Sequence, residues 1–128
     1  MEYSGTITKR YVKFVLFSLL VIVTSCQRDK EITRLLNSNK PGEIIQGTYE
    51  AGMSGDKKYV PLLLKDADNP AVSTALHFKG FSVYTEKMYA LERILHVKPP
   101  HPYNGILVIP DSVNIKFYNN YWRSINKR

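Results

Sequence analysis

The chain has 128 residues, with 18 Lys and Arg against 11 Asp and Glu, which gives a formal net charge of +7 at pH 7. This length accommodates one domain, and a single cysteine excludes a disulfide framework. The positive charges are scattered and form no basic stripe interleaved with aromatic residues, so we expect no nucleic-acid partner.

The first 26 residues have the pattern of an export signal. Lys9, Arg10 and Lys13 form a positive segment, residues 14–23 are an apolar run, and small residues precede Cys26. The apolar run is short, because the core of a bilayer needs about 20 residues of helix. The pattern therefore predicts a signal peptide over residues 1–25 rather than a lasting membrane anchor.

The four residues Val-Thr-Ser-Cys that end at Cys26 resemble the lipobox of bacterial lipoproteins. The resemblance implies that the thiol of Cys26 is acylated and that the peptide is cut just before it. The mature chain then holds 103 residues with 15 Lys and Arg against 10 Asp and Glu. It also implies a lipid-anchored protein of the cell envelope, and Gln27 rather than Asp after the cysteine favours the outer membrane. The alternative is an uncleaved N-terminal helix with one buried cysteine.

Residues 26–40 are predicted to form a tether that contains a short helix. Ile32, Leu35 and Leu36 give this helix a narrow apolar stripe, which either packs on the next helix or remains part of the tether. The sequence Asn-Ser-Asn-Lys-Pro-Gly at residues 37–42 then favours a turn, and supplies a cap and a first-turn proline for the following helix.

Two pairs of helices follow in the prediction. Apolar spacing predicts helices over residues 43–53 and 57–65, with Asp56 as N-cap of the second and turn-forming residues after it. A similar pattern begins again about 28 residues later. It predicts helices over residues 71–81 and 86–95, the last with Thr85 as its N-cap.

The two helical hairpins resemble HEAT-type α-solenoid repeats over about residues 43–95. The matching residues are Asp56, Val60-Pro61, Leu63-Leu64, Asp66, Asp68-Asn69-Pro70, Val72 and Ala75-Leu76. Ser73 stands where the family commonly has Arg. The resemblance implies an all-α fold, a short α-solenoid of two HEAT-like hairpins within a domain of residues 41–128.

The C-terminal segment is predicted to cap this stack, since two repeats are fewer than a solenoid usually needs. Residues 106–109 are expected to lie extended on the core, and a last helix is expected from residues 110–112 onward. Its apolar face comprises Val113, Phe117, Tyr121 and Ile125, beside Tyr118 and Trp122.

The sequence contains no Gly-x-Ser-x-Gly elbow, Walker loop or His-Glu-x-x-His motif. It therefore predicts no enzyme, no cofactor and no metal site. Our first hypothesis is a membrane-anchored lipoprotein that acts as a protein-binding or scaffolding module of the bacterial envelope, with a protein partner.

Two alternatives remain open. An envelope enzyme would use His96, His101 and Asp111 around the proline-rich loop, although these residues lack the tight ligand spacing of zinc sites. A glycan-binding protein would use exposed aromatic rings. We expect residues 81–84 to be the most exposed part of a set comprising Phe78, Phe81, Tyr84, Tyr89, Tyr103, Tyr118, Tyr121 and Trp122. His77 is predicted to be a partly buried polar residue of its helix.

Overall fold

A computed structural model describes residues 4–78, 80–105 and 108–127. The predicted all-α class is confirmed, since these residues form five α-helices, two short 3₁₀ helices and no strand beyond one isolated bridge. The α-helices are α1 (Ser4–Leu36), α2 (Pro41–Ser54), α3 (Val60–Leu64), α4 (Val83–Leu95) and α5 (Ser112–Asn126). The 3₁₀ helices are Lys57–Tyr59 and Leu76–Phe78.

The chain divides into two compact units, the first ending at Glu31 and the second beginning at Ile32. The first unit contains most of α1, and the apolar side chains of residues 14–23 are exposed, Phe14 by 74%. Among the described residues, α1 is the one helix long and apolar enough to cross a membrane by length and composition. A signal sequence near an N-terminus passes the same test, so this helix is compatible with either a signal or an anchor.

The second unit is built around the packing of α2 on α4. Two glycines of α2 allow close approach of its neighbours. A Cβ atom at Gly52 would lie 3.0 Å from the Cα of Ala90 on α4, and one at Gly47 would lie 2.6 Å from the Cβ of Leu35. The distance at Gly47 is too short for two carbon atoms, so a side chain there would displace its neighbours, whereas the contact at Gly52 is tight and leaves little room for one.

Several sequence predictions for this unit are confirmed. The stripe of Ile32, Leu35 and Leu36 at the end of α1 is buried, so it packs in the core. Helix α2 has Pro41 in its first turn, and its C-cap is Gly55, whose φ of 67° is left-handed. Asp56 caps the next turn by accepting a hydrogen bond from the amide of Lys58 at 3.0 Å. The expected cap of α2 is absent, because Lys40 occupies the N-cap position and makes no side-chain bond there.

The helix predicted over residues 71–81 is wrong. Val72 and Ser82 instead form an isolated antiparallel bridge, with the amide of Val83 donating to the carbonyl of Ala71 at 2.9 Å. The sequence Val-Ser-Thr after Ala71 has low helix propensity, and the hydroxyl of Ser73 accepts from the amide of Ala75 in a local turn that competes with a helix. Only Leu76–Phe78 makes a 3₁₀ turn, in which Leu76 and His77 are exposed. His77 is therefore not the partly buried residue we expected.

The two-hairpin solenoid implied by the HEAT resemblance is consequently not confirmed. Its first hairpin has two helical arms, α2 and the turn that continues into α3, whereas the second has only α4. Helix α4 also starts three residues earlier than predicted. Ser82, and not Thr85, is its N-cap, since the Ser82 hydroxyl accepts from the Thr85 amide at 3.1 Å.

The predicted last helix is present as α5 and begins after the N-cap Asp111, but a different face is buried. Asn114 and Tyr118 are fully buried, while Val113 is 44% exposed. Phe117, Tyr121, Trp122 and Ile125 are half-buried against the core, as a cap requires. Ile106 and Leu107 of the predicted extended run lie outside the described residues. Val108 packs against the core as expected, whereas Ile109 does not, because it is 84% exposed.

Candidate binding groove

Two adjoining depressions lie between α4 and the proline-rich loop that follows it. Their volumes are about 340 and 440 Å³, and both are lined by Tyr89, Glu92 and Lys98. We call this continuous surface the α4 groove. Residues 99–104 complete one end of the groove, and Arg93, His96 and Val97 complete the other.

Aromatic rings form one side of the α4 groove. The ring centroids of Tyr89 and Tyr103 are 4.9 Å apart with an interplanar angle of 77°, and Phe81 lies edge-on to Tyr89 at 6.4 Å. The hydroxyl of Tyr103 donates a hydrogen bond to the carboxylate of Glu92. Burial and this hydrogen bond raise the pKa of Tyr103 above its usual range, so the phenol stays protonated and keeps Glu92 engaged.

The proline-rich loop is held rigidly by buried side chains of α5. The side chain of Asn114 accepts from the amide of His101 and donates to the His101 carbonyl, each at 3.0 Å, and it also contacts the Tyr84 hydroxyl at 3.1 Å. The hydroxyl of Tyr118 donates to the carbonyl of Val97 at 2.9 Å. Because the loop is bonded to α5 at both Val97 and His101, the groove is largely preformed.

Two of the three predicted loop residues come together. The Nδ1 atom of His101 lies 2.6 Å from an Asp111 carboxylate oxygen. The other oxygen accepts from the Val113 amide at 2.8 Å and caps α5. The hydrogen bond with His101 is the main cause that lowers the pKa of Asp111. The pair therefore links the loop to the start of α5.

His96 does not join this pair. It ends α4 with a left-handed φ of 55°, and its amide donates to the Glu92 carbonyl at 2.8 Å. Its side chain is exposed at the other end of the α4 groove. Within residues 4–78, 80–105 and 108–127, no group of three or more His, Cys, Asp or Glu side chains is arranged to hold a metal ion.

The charges around the groove are mainly positive. Arg93 and Lys98 are exposed along it, whereas the negative charge of Glu92 is engaged by Tyr103. An Arg93 nitrogen also lies 3.2 Å from the sulfur of Met53. No motif in the sequence marks Glu92, Arg93 or Lys98, because charged residues at a helix end have an ordinary structural explanation.

The predicted aromatic platform is largely internal. Tyr84 and Tyr118 are fully buried and Tyr103 is 6% exposed, so the expectation of exposure at residues 81–84 is wrong for Tyr84. The other members of the set, Phe78, Phe81, Tyr89, Tyr121 and Trp122, are half-buried. Their rings are therefore only partly accessible to a ligand.

The predicted lipid-attachment residue, Cys26, lies in the first unit and its side chain is exposed. No protein family, curated protein or solved structure that we compared with this chain matches it.

Proposed function

We propose that the protein is a lipid-anchored, protein-binding module of the bacterial cell envelope, a role that its groove and its N-terminus support together.

 Residues 1–25 are removed, and a lipid attached to Cys26 anchors the mature protein in the outer membrane. The partner is a protein that places an acidic, extended segment in the α4 groove. No enzyme activity, cofactor or nucleic acid is part of this proposal.

The main support for a binding role is the preformed α4 groove, along which Arg93 and Lys98 are exposed. A groove open at its surface and bounded by tyrosines and prolines suits an extended peptide better than an enclosed small molecule. The exposed cations favour acidic residues in that peptide, because complementary charge speeds association and selects partners. The excess of Lys and Arg over Asp and Glu after residue 25 acts in the same direction.

The N-terminal part of the proposal is supported by the apolar helix of the first unit and by the exposed Cys26. A cysteine directly after an export signal is where a lipoprotein carries its acyl chains. A basic domain held at an anionic membrane gains further attraction, about 1 kcal/mol for each Lys or Arg near the surface.

A fluorescent peptide of alternating Glu and Pro with a central Trp tests the groove, and the same peptide with Lys in place of Glu is its control. We expect the acidic peptide to bind the full chain in detergent, and increasing salt to weaken binding. Lys98→Glu should weaken it several-fold, whereas Lys57→Glu, an exposed lysine outside the groove, should have a much smaller effect. Equal binding of both peptides, or equal effects of both substitutions, would contradict the proposed groove.

The 2.6 Å contact between His101 and Asp111 favours one second candidate, an envelope enzyme. In that case Asp111 orients the His101 ring, which acts as a general base on a substrate in the groove. His101→Asn would then abolish hydrolysis of envelope ester or glycoside substrates without changing peptide binding. An unchanged activity in this variant, measured beside the parent protein, would remove this candidate.

A further inference from the structure

A separate polar pocket of about 300 Å³ lies where the turn after α1, helix α2, the end of α3 and α4 meet. It lies outside the α4 groove, and the two share no lining residue. Polar side chains dominate its lining, among them Asn37, Asn39, Asp66, Asn69 and Lys87. Neither the proposed peptide binding nor the lipid anchor uses this pocket.

Lys87 is the unusual member of this lining, because its side chain is only 3% exposed. Its ammonium group donates a hydrogen bond to the carbonyl of Lys65 at the end of α3. Among the described residues, no carboxylate lies within 4.0 Å of this nitrogen. A buried ammonium has three donors and is costly without a counter-ion, so Lys87 retains donor capacity and, among the described residues, has no carboxylate in direct contact with it.

The neighbouring charges do not remove this cost. The pKa of Lys87 is lowered to about 8, mainly by burial and also by the charge of Lys65, while the attraction of Asp66 and Asp68 opposes both effects. At neutral pH the amine is still mainly protonated. The fold therefore keeps a positive charge at the pocket, although burial makes ionisation less favourable there than in water.

We propose that this pocket binds a small carboxylate, whose carboxylate group is the counter-ion that Lys87 lacks. Asn39 and Asn69 lie around it to meet hydroxyl or other polar substituents of the ligand. The carbonyl of the Asn69 side chain already accepts from the Ala71 amide at 2.9 Å, which leaves its NH₂ group to donate. A singly charged ligand fits better than a dianion, since one buried ammonium faces it and the carboxylate of Asp66 shares the lining.

Lactate is a suitable probe, and lactamide is its neutral control of nearly equal shape. Binding is followed by NMR of the full chain in detergent with ¹³C-labelled lysine, so that the Lys87 side chain is observed directly. For so few atoms we expect a Kd on the order of 1 mM at pH 7. The affinity should fall about tenfold between pH 7 and pH 9, because the ammonium loses its proton around pH 8. Bound lactate should in turn raise the pKa of Lys87.

The exposed Asn39 offers a variant that leaves the buried amine in place. Asn39→Ala should weaken lactate binding several-fold, whereas Asn126→Ala, at an exposed position of α5, should not. Equal affinity for lactate and lactamide, or lactate binding that is unchanged between pH 7 and pH 9, would overturn the proposal. Tighter binding of inorganic phosphate than of lactate would overturn the assignment to a carboxylate.

Discussion

Replacing Asn114 by Ala should be among the most destabilising single changes in α5. Its side chain is fully buried and bonds to both backbone groups of His101 and to the hydroxyl of Tyr84. A net contribution of about 1 kcal/mol for each of three hydrogen bonds gives a loss of about 3 kcal/mol in the free energy of unfolding. The vacated volume and the unpaired groups of His101 act in the same direction.

Asn119→Ala is the matched control in the same helix. Asn119 is half-buried, and its side chain donates only to the carbonyl of Ile115, four residues earlier in α5. We expect this substitution to cost less than about 1 kcal/mol. Both variants are compared by urea unfolding, where equal m-values would show that the denaturation midpoints report stability.

Equal losses of stability in the two variants would refute this reasoning. The proline-rich loop would then be held by contacts other than those of Asn114. A second readout supports the same distinction, because loosening of the loop in Asn114→Ala should increase hydrogen exchange at the His101 amide and leave the middle of α4 protected.

Three further changes test other parts of the folded unit. Gly47→Ala should destabilise it by about 1 to 3 kcal/mol in thermal melts, because the added methyl meets Leu35, and Gln46→Ala on the exposed face should have little effect. Thr48→Val should stabilise it by about 1 kcal/mol, since the buried hydroxyl of Thr48 has no hydrogen-bond partner among the described residues. Because the pKa of Lys87 is lowered from 10.5 to about 8, the folded state binds fewer protons in that interval, and the free energy of unfolding should rise with pH from 8 towards 10. Lys87→Met should remove this rise, and its persistence would show that other groups cause it.

The sequence predicts the segments whose structure depends on local signals. The apolar stripe at the end of α1, the N-cap Asp56 and the start of α5 near residues 110–112 follow from side-chain spacing and turn chemistry, and all three are confirmed. These features need no knowledge of the rest of the chain.

Residues 71–81 show where local pattern is insufficient. Val72 and Leu76 have helical spacing, but the helix competes with the bridge to Ser82 and with hydrogen bonds of the segment to α4, which the sequence does not reveal. The apparent repeat of about 28 residues also favours the incorrect prediction of a helix over residues 71–81, because it implies that the second hairpin has the same two helices as the first.

The candidate sites depend still more on tertiary contacts. Asn114 holds the proline-rich loop from 13 residues away, and Lys87 reaches a carbonyl 22 residues away. Asparagine and lysine are usually exposed, so nothing in their sequence context predicts burial. The sequence indicates His101 and Asp111 as candidates for catalysis. Their contact in the structure also has a structural role, because it links the proline-rich loop to the start of α5.

The most direct test of the account is mass spectrometry of the chain purified from membranes of a Gram-negative host. We predict a mature protein that begins at Cys26 and carries acyl chains on that residue, and we predict that Cys26→Ser accumulates as unprocessed precursor that no longer partitions into detergent. A parent protein with an unmodified Cys26, or a Cys26→Ser variant that is still processed and still held at the membrane, would contradict the lipid anchor.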